Sequence, residues 1–142
     1  MSFVINGVEA LSNGDNYTFI SKHHLPSKYG SIWIISLQDE FNAADNSIKK
    51  GYIETLNNGN NTTISYNFVI KNGNISIVGS NRYSKKLKLC KFVNSSAYLW
   101  HGYPADYCKN QQDKPNQNTL LKMYNDNLID KRMVSKISGG KR

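Results

Sequence analysis

Between residues 101 and 109 the chain places His101, Asp106, Tyr107 and Lys109 close together. An imidazole with a pKa of about 6.5 can take or give the proton of a ribose 2′-hydroxyl near neutral pH. A lysine ammonium can offset the negative charge that gathers on a phosphorane in the transition state. These four side chains are therefore candidate catalytic residues for a metal-independent, toxin-like ribonuclease. Gly102 permits close backbone approach beside His101, and Pro104 stiffens the segment. The adjacent histidines His23 and His24 offer a second source of proton transfer. A plainer reading of "LWHGYPADYCKNQQDKP" is a packed cover over one end of a core, with His101 merely hydrogen-bonded and Asp106 capping a turn.

A second group of residues suits binding. In "SNRYSKKLKLCKF", period-two geometry sets Lys86 and Lys88 opposite Leu87 and Leu89. Arg82, Lys85 and Lys91 extend the basic tract, and Tyr83 and Phe92 interleave aromatic rings. Lysines and rings on one sheet face fit a phosphodiester backbone and stacked bases. They also fit an edge strand that lysines protect from aggregation. Lys131, Arg132 and Lys136 fall on a helix-like stretch near the C-terminus and could supply further phosphate contacts. The expected nucleic-acid-binding residues are therefore Arg82, Lys85, Lys86, Lys88, Lys91, Lys131, Arg132 and Lys136.

Charge points the same way. The net is +8, but residues 1–81 carry five lysines against six acids, whereas residues 82–142 carry thirteen lysines and arginines against four acids. So lopsided a distribution fits a polyanionic partner, and RNA is favoured over DNA. The alternative is a non-enzymatic interaction module (an inhibitor, adaptor or effector) that docks an acidic protein partner. Cys90 and Cys108 are the only cysteines and His23, His24 and His101 the only histidines. With no zinc-type spacing among them, neither a metal nor a cofactor is expected. No apolar run reaches the ~20 residues of a membrane helix. The N-terminus lacks a secretory pattern, so a cytoplasmic location is expected.

The elements that must position these groups read as strands first and helices last. "NYTFIS" (16–21), "SIWIISL" (31–37), "KKGYIETL" (49–56), "TTISYNFVI" (62–70), "ISIVGS" (75–80), "KLKLCKFV" (86–93) and "AYLW" (97–100) are strand-like. Ile64, Tyr66, Phe68 and Ile70 share a face. "DEFNAADNS" could hold a helical turn or two. Asn-Gly turns at 57–61 and 71–74 predict a three-stranded antiparallel meander over 49–80. Leu120, Leu121 and Tyr124 keep helical spacing after an N-cap at Asn118, and Asn127 ends that helix. Asp130 then caps a second helix with Met133, Val134 and Ile137 inward. The expected fold class is α+β: a single domain over 1–142, with an antiparallel sheet of five or six strands and a C-terminal helical hairpin. In that reading residues 1–100 are mostly strands, 101–117 an aromatic and polar loop, 118–138 the hairpin and 139–142 a basic tail.

The tracts "WHGYPADY", "DKP" and "LLKMYNDNLIDKRMVSKISGGK" together resemble the C-terminal part of short, uncharacterised bacterial proteins. In these a His-Gly-aromatic-Pro tract precedes a small basic helical hairpin. The resemblance covers about the last 45 residues of the sequence. It implies a bacterial origin and that tract and hairpin act as one unit, and it carries no activity over.

Overall fold

The computed structural model describes residues 3–25, 30–56, 62–96 and 98–142. Its strands are β1 (Val8–Ala10), β2 (Asn16–Thr18), β3 (Ile32–Trp33), β4 (Ile53–Thr55), β5 (Thr63–Asn67), β6 (Ile70–Lys71), β7 (Asn74–Ile75), β8 (Gly79–Ser80), β9 (Lys86–Leu87), β10 (Leu89–Ser96) and β11 (Leu99–Ala105). The helices are α1 (Leu37–Lys50), α2 (Gln117–Asn125) and α3 (Lys131–Ser138), with single 3-10 turns at Ser21–His23 and Gln111–Asp113.

Alternation along β10 builds the centre. Cys90 and Phe92 join Tyr17, Trp33 and Trp100 in one apolar cluster that includes Ala43 and Ala44 of α1. Leu89 and Val93 belong to a second cluster with Ile64, Tyr66, Leu120, Met123 and Ile137. The main sheet is thus covered by α1 on one face and by α2 and α3 on the other, the α+β class that strands followed by helices imply. Its order is β1-β2-β11-β10-β5-β4. Every pairing in it is antiparallel except that of β2 with β11, where Leu99 lies opposite Asn16 and Trp100 opposite Tyr17.

Several expectations need correction. Residues 101–105 are not loop: β11 runs through His101 to Ala105 and pairs residue by residue with β10. Gly102 sits there because Phe92 lies opposite; a Cβ would come within 2.4 Å of its Cδ1. Pro104 is tolerated because β2 pairs only with Leu99 and Trp100, so among the described residues the strand has no ladder partner on that side by Pro104. The stretch 49–80 forms no continuous meander. β4 and β5 pair in the main sheet, β6 and β7 form a separate ribbon, and β8 joins a small sheet of order β3-β8-β9. Asn72 and Gly73 do turn the ribbon, with φ of 52° and 78°. The expected Asn-Gly turn at 57–61 lies outside the described residues, as do residues 26–29 and 97.

The expected turn or two at 39–47 is a 14-residue helix. Ser36 caps it by accepting from Asp39 N–H at 3.1 Å, and Gly51 ends it in the left-handed region. Lys49 and Lys50 therefore belong to α1, not to a strand. Asn116, not Asn118, caps α2 by accepting from Thr119 N–H at 2.9 Å. Asp130 caps α3 through Met133 N–H at 2.8 Å, and Asn127 takes a φ of 63°. No described helix is long and apolar enough to cross a membrane.

Candidate functional site

Four segments close around one cleft of about 610 Å³. The β8–β9 turn contributes Asn81, Arg82 and Tyr83; the end of β11 contributes Tyr103 and Pro104. The loop after it contributes Asp106, Lys109, Asn110, Gln112 and Asp113, and His23 with Gly30 and Ser31 forms the remaining wall.

Asparagine chemistry shapes the first wall. Asn81 Oδ1 accepts from the backbone N–H of Tyr83 at 2.9 Å and of Lys85 at 3.0 Å, and Ser84 adopts a φ of 63° to complete the turn. This leaves Tyr83 60% exposed. The Arg82 guanidinium donates to the Tyr83 hydroxyl and lies 4.7 Å from the ring centroid. Asn81 Nδ2 then donates to Asp106 Oδ2 at 2.8 Å, joining this turn to the 106–113 loop.

A buried ion pair holds that loop. Lys91 donates to the Gln112 carbonyl at 2.6 Å and pairs with Asp113 Oδ1 at 3.3 Å, both side chains almost wholly enclosed. Asp113 also accepts from Tyr103 Oη at 2.7 Å and, through Oδ2, from the Asp106 N–H at 3.0 Å. Burial, then Asp113, pushes the Tyr103 phenol well above the usual tyrosine range, so it remains a donor. The His23 ring stacks on Tyr103 with centroids 5.1 Å apart, and its Nδ1 lies 2.8 Å from the Ser31 carbonyl. A carbonyl only accepts, so Nδ1 carries the hydrogen. Burial pulls the His23 pKa below its ordinary value. The ring is therefore neutral at pH 7, with its lone pair on Nε2.

Of the expected catalytic set, the fold brings Asp106 and Lys109 to this cleft. Asp106 is not free: Arg142 Nη2 lies 3.3 Å from its Oδ1. Tyr107 turns to the C-terminal tail, donating to the Lys141 carbonyl at 2.8 Å. His101 sits within β11 opposite Val93 and does not line the cleft. Burial, then Lys22 and His23, lowers its pKa. Lys22 and His23 are thus its electrostatic neighbours.

Of the expected binding set, Arg82 lines the cleft and Lys85 is exposed on the same turn. Lys86 is exposed on β9, while Lys88 opens onto a separate groove beside Tyr124, Leu128 and Met133. Lys131 and Arg132 are exposed on α3, and Lys136 is half-buried there. Lys91 is the clear correction. It points into the protein and serves Asp113, because a lysine on a strand covered on both faces has no route to solvent. Phe92 is likewise core, leaving Tyr83 as the exposed ring of that tract. The structure adds His23, Tyr103, Gln112 and Asp113, of which only His23 bore a signal in the sequence, as part of a histidine pair.

Both carboxylates on the cleft are matched, Asp113 by Lys91 and Asp106 by Arg142 and Asn81. Among the described residues no ion pair engages Arg82 or Lys109, so the cleft carries an uncompensated positive charge. No three His, Cys, Asp or Glu side chains among the described residues converge as a metal would require. Comparison with protein-family models, curated proteins and solved structures finds no match to the chain.

Proposed function

We propose that this cleft binds a phosphodiester of a nucleic acid, with RNA favoured over DNA. One observation carries the reading. Arg82 and Lys109 face the cleft with no acidic partner among the described residues, while both carboxylates there are already neutralised. The exposed Tyr83 ring beside Arg82 offers a surface on which an unpaired base can stack. A concave site of this size admits a splayed nucleotide and not a stacked duplex, and unpaired bases are the usual target of RNA recognition.

His23 favours a second step, metal-independent cleavage. Its unprotonated Nε2 would accept the 2′-hydroxyl proton and the 2′-oxygen would attack phosphorus; the bond from phosphorus to the 5′-oxygen would break, that oxygen leaving with a proton from solvent, while Arg82 and Lys109 would offset the charge that develops.

Fluorescence anisotropy with a single-stranded RNA oligomer over a salt series tests binding. Two phosphate contacts on a single strand predict a slope of log affinity on log salt of about −1.4, and Arg82→Ala should reduce its magnitude by about 0.7. Binding that is absent at low salt, or indifferent to salt, overturns the proposal. Incubation of the same RNA with a chelator tests cleavage: products ending in a 2′,3′-cyclic phosphate are expected, and His23→Ala should abolish them.

A further inference from the structure

Adjacent to His23, three titratable side chains meet almost without solvent. Glu40 sits in the first turn of α1 with no exposure. Its Oε2 accepts from the Tyr17 hydroxyl at 2.5 Å, and its Oε1 lies 2.6 Å from His24 Nε2. His24 Nδ1 lies 2.7 Å from the Ile20 carbonyl and so carries a hydrogen. One further proton is shared between Nε2 and the carboxylate, giving an imidazolium–carboxylate pair or its neutral equivalent. Burying ionisable groups costs desolvation, and an apolar replacement is often as stable. Stability alone therefore does not account for the knot.

Its place in the chain does. His23 and His24 are consecutive in one tight turn, where neighbouring side chains diverge by about a third of a revolution. One ring lies on the cleft wall against Tyr103 while the next is pinned to α1. Fixing the second fixes the direction of the first.

We infer that Glu40 and His24, backed by Tyr17, are positioning residues for the cleft: they anchor the 21–25 turn so that His23 is held on Tyr103 with Nε2 available to the bound nucleic acid. This rests on the cleft being the site proposed above. The groups facing His24 are Glu40 from α1, Tyr17 from β2 through Glu40, the edge of Phe19 and the Ile20 carbonyl. Those facing His23 are Tyr103 and His101 from β11, Asp113, the Ser31 carbonyl, and Lys22 and His24 on its own turn. Charge on His24 lowers the His23 pKa, whereas Asp113 raises it. Loss of the Glu40 carboxylate removes the partner that favours the protonated form of His24, and the charge that lowers the His23 pKa is then diminished.

The experiment records imidazole ¹⁵N spectra of the full chain against pH without ligand, for wild type, Glu40→Gln, Tyr17→Phe and Ser47→Ala. In Glu40→Gln the His23 midpoint should rise toward 6.5, and its single Nδ1–H tautomer should become a mixture. Tyr17→Phe keeps the His24–Glu40 contact and should show a smaller change of the same sign. Ser47→Ala, on the same helix, loses a buried bond to Ser65. It should lower the thermal midpoint yet leave the His23 spectrum unchanged. Affinity for the single-stranded RNA oligomer at pH 7 should fall roughly tenfold in Glu40→Gln with an unchanged salt slope, since Arg82 and Lys109 remain. A wild-type His23 spectrum in folded Glu40→Gln, or in Tyr17→Phe should the former not fold, overturns the inference. So does an equal shift in Ser47→Ala, or unaltered RNA affinity beside a shifted His23. Failure of wild-type protein to bind RNA overturns the nucleic-acid reading instead, and the ligand-free spectra still decide whether the pair positions His23.

Discussion

At the scale of single residues, the same interaction type carries very different weight according to where it sits. Asp113 answers four donors: Lys91, Tyr103, the Asp106 N–H and Asn110 Nδ2. Asp113→Ala leaves the Lys91 ammonium buried without its counter-charge, and a loss of about 3–5 kcal/mol is expected in denaturant unfolding. Lys71 and Asp39 make an ion pair at 2.8 Å with the lysine largely exposed. Lys71→Ala should therefore change stability by less than about 1 kcal/mol in the same assay. Asp45 shows how a half-buried carboxylate near the surface can be tuned. Its partial burial raises its pKa, but the hydroxyl and N–H of Ser12 together with Lys49 outweigh this and leave it below 3.8. A lowered carboxylate contributes stability that is present above its unfolded pKa and is lost as pH falls through the folded one. Ser12→Ala should move the Asp45 midpoint upward in carboxyl ¹³C titrations, and no movement would mean that the hydroxyl is not its partner.

At the scale of elements, β11 explains both what composition reveals and what it hides. Its glycine and proline read as loop residues, yet Gly102 is required by the Phe92 ring and Pro104 lies where no strand of the described residues pairs on its outer side. Gly102→Ala should cost about 1–3 kcal/mol by overpacking, measured as a lower unfolding midpoint; a neutral result would mean that Phe92 moves freely. Helix α1 escapes the sequence for another reason. Glu40 and Ser47 lie on its buried side, so polar residues interrupt the apolar period that marks a helix. The C-terminal helices are legible because Asn127 and Asp130 punctuate them with local chemistry, and β5 because Ile64 and Tyr66 alternate without interruption. The cleft is assembled from segments around residues 23, 31, 82, 103 and 109. Spacing along one chain cannot express that convergence, so Asp106, Lys109 and Arg82 emerge from the sequence as site candidates, and His23 and Tyr83 only as members of a histidine pair and a basic tract.

At the scale of the whole molecule, histidine burial makes stability depend on pH. His23 and His101 both titrate below 6.5 in the folded chain, chiefly because burial disfavours their charged forms. The unfolded chain then binds the extra protons, so stability is lost as pH falls from about 6.5 through the lowered values. His24 acts in the opposite sense. Burial alone would lower it, but Glu40 and the Ile20 carbonyl raise it overall. Its contribution is full below 6.5 and is lost as pH rises through the folded value. Replacing His101 by glutamine should flatten the acid side of a plot of thermal midpoint against pH; an unchanged acid limb would assign that limb to other groups. The parallel seam between β2 and β11 has a further consequence, for the birth of the protein. Asn16 waits for Leu99, 83 residues later, and a ribosome adding roughly 5–20 residues per second takes about 4–17 seconds to deliver that partner. Throughout this interval the β1–β2 hairpin is a lone two-stranded ribbon, marginal in water. Tyr17 and Phe19, which finish with no exposure, have only α1 and not their full cover meanwhile. The nascent chain is thus most prone to sticking before its last third emerges, and closing that long loop, not making any local turn, paces its maturation.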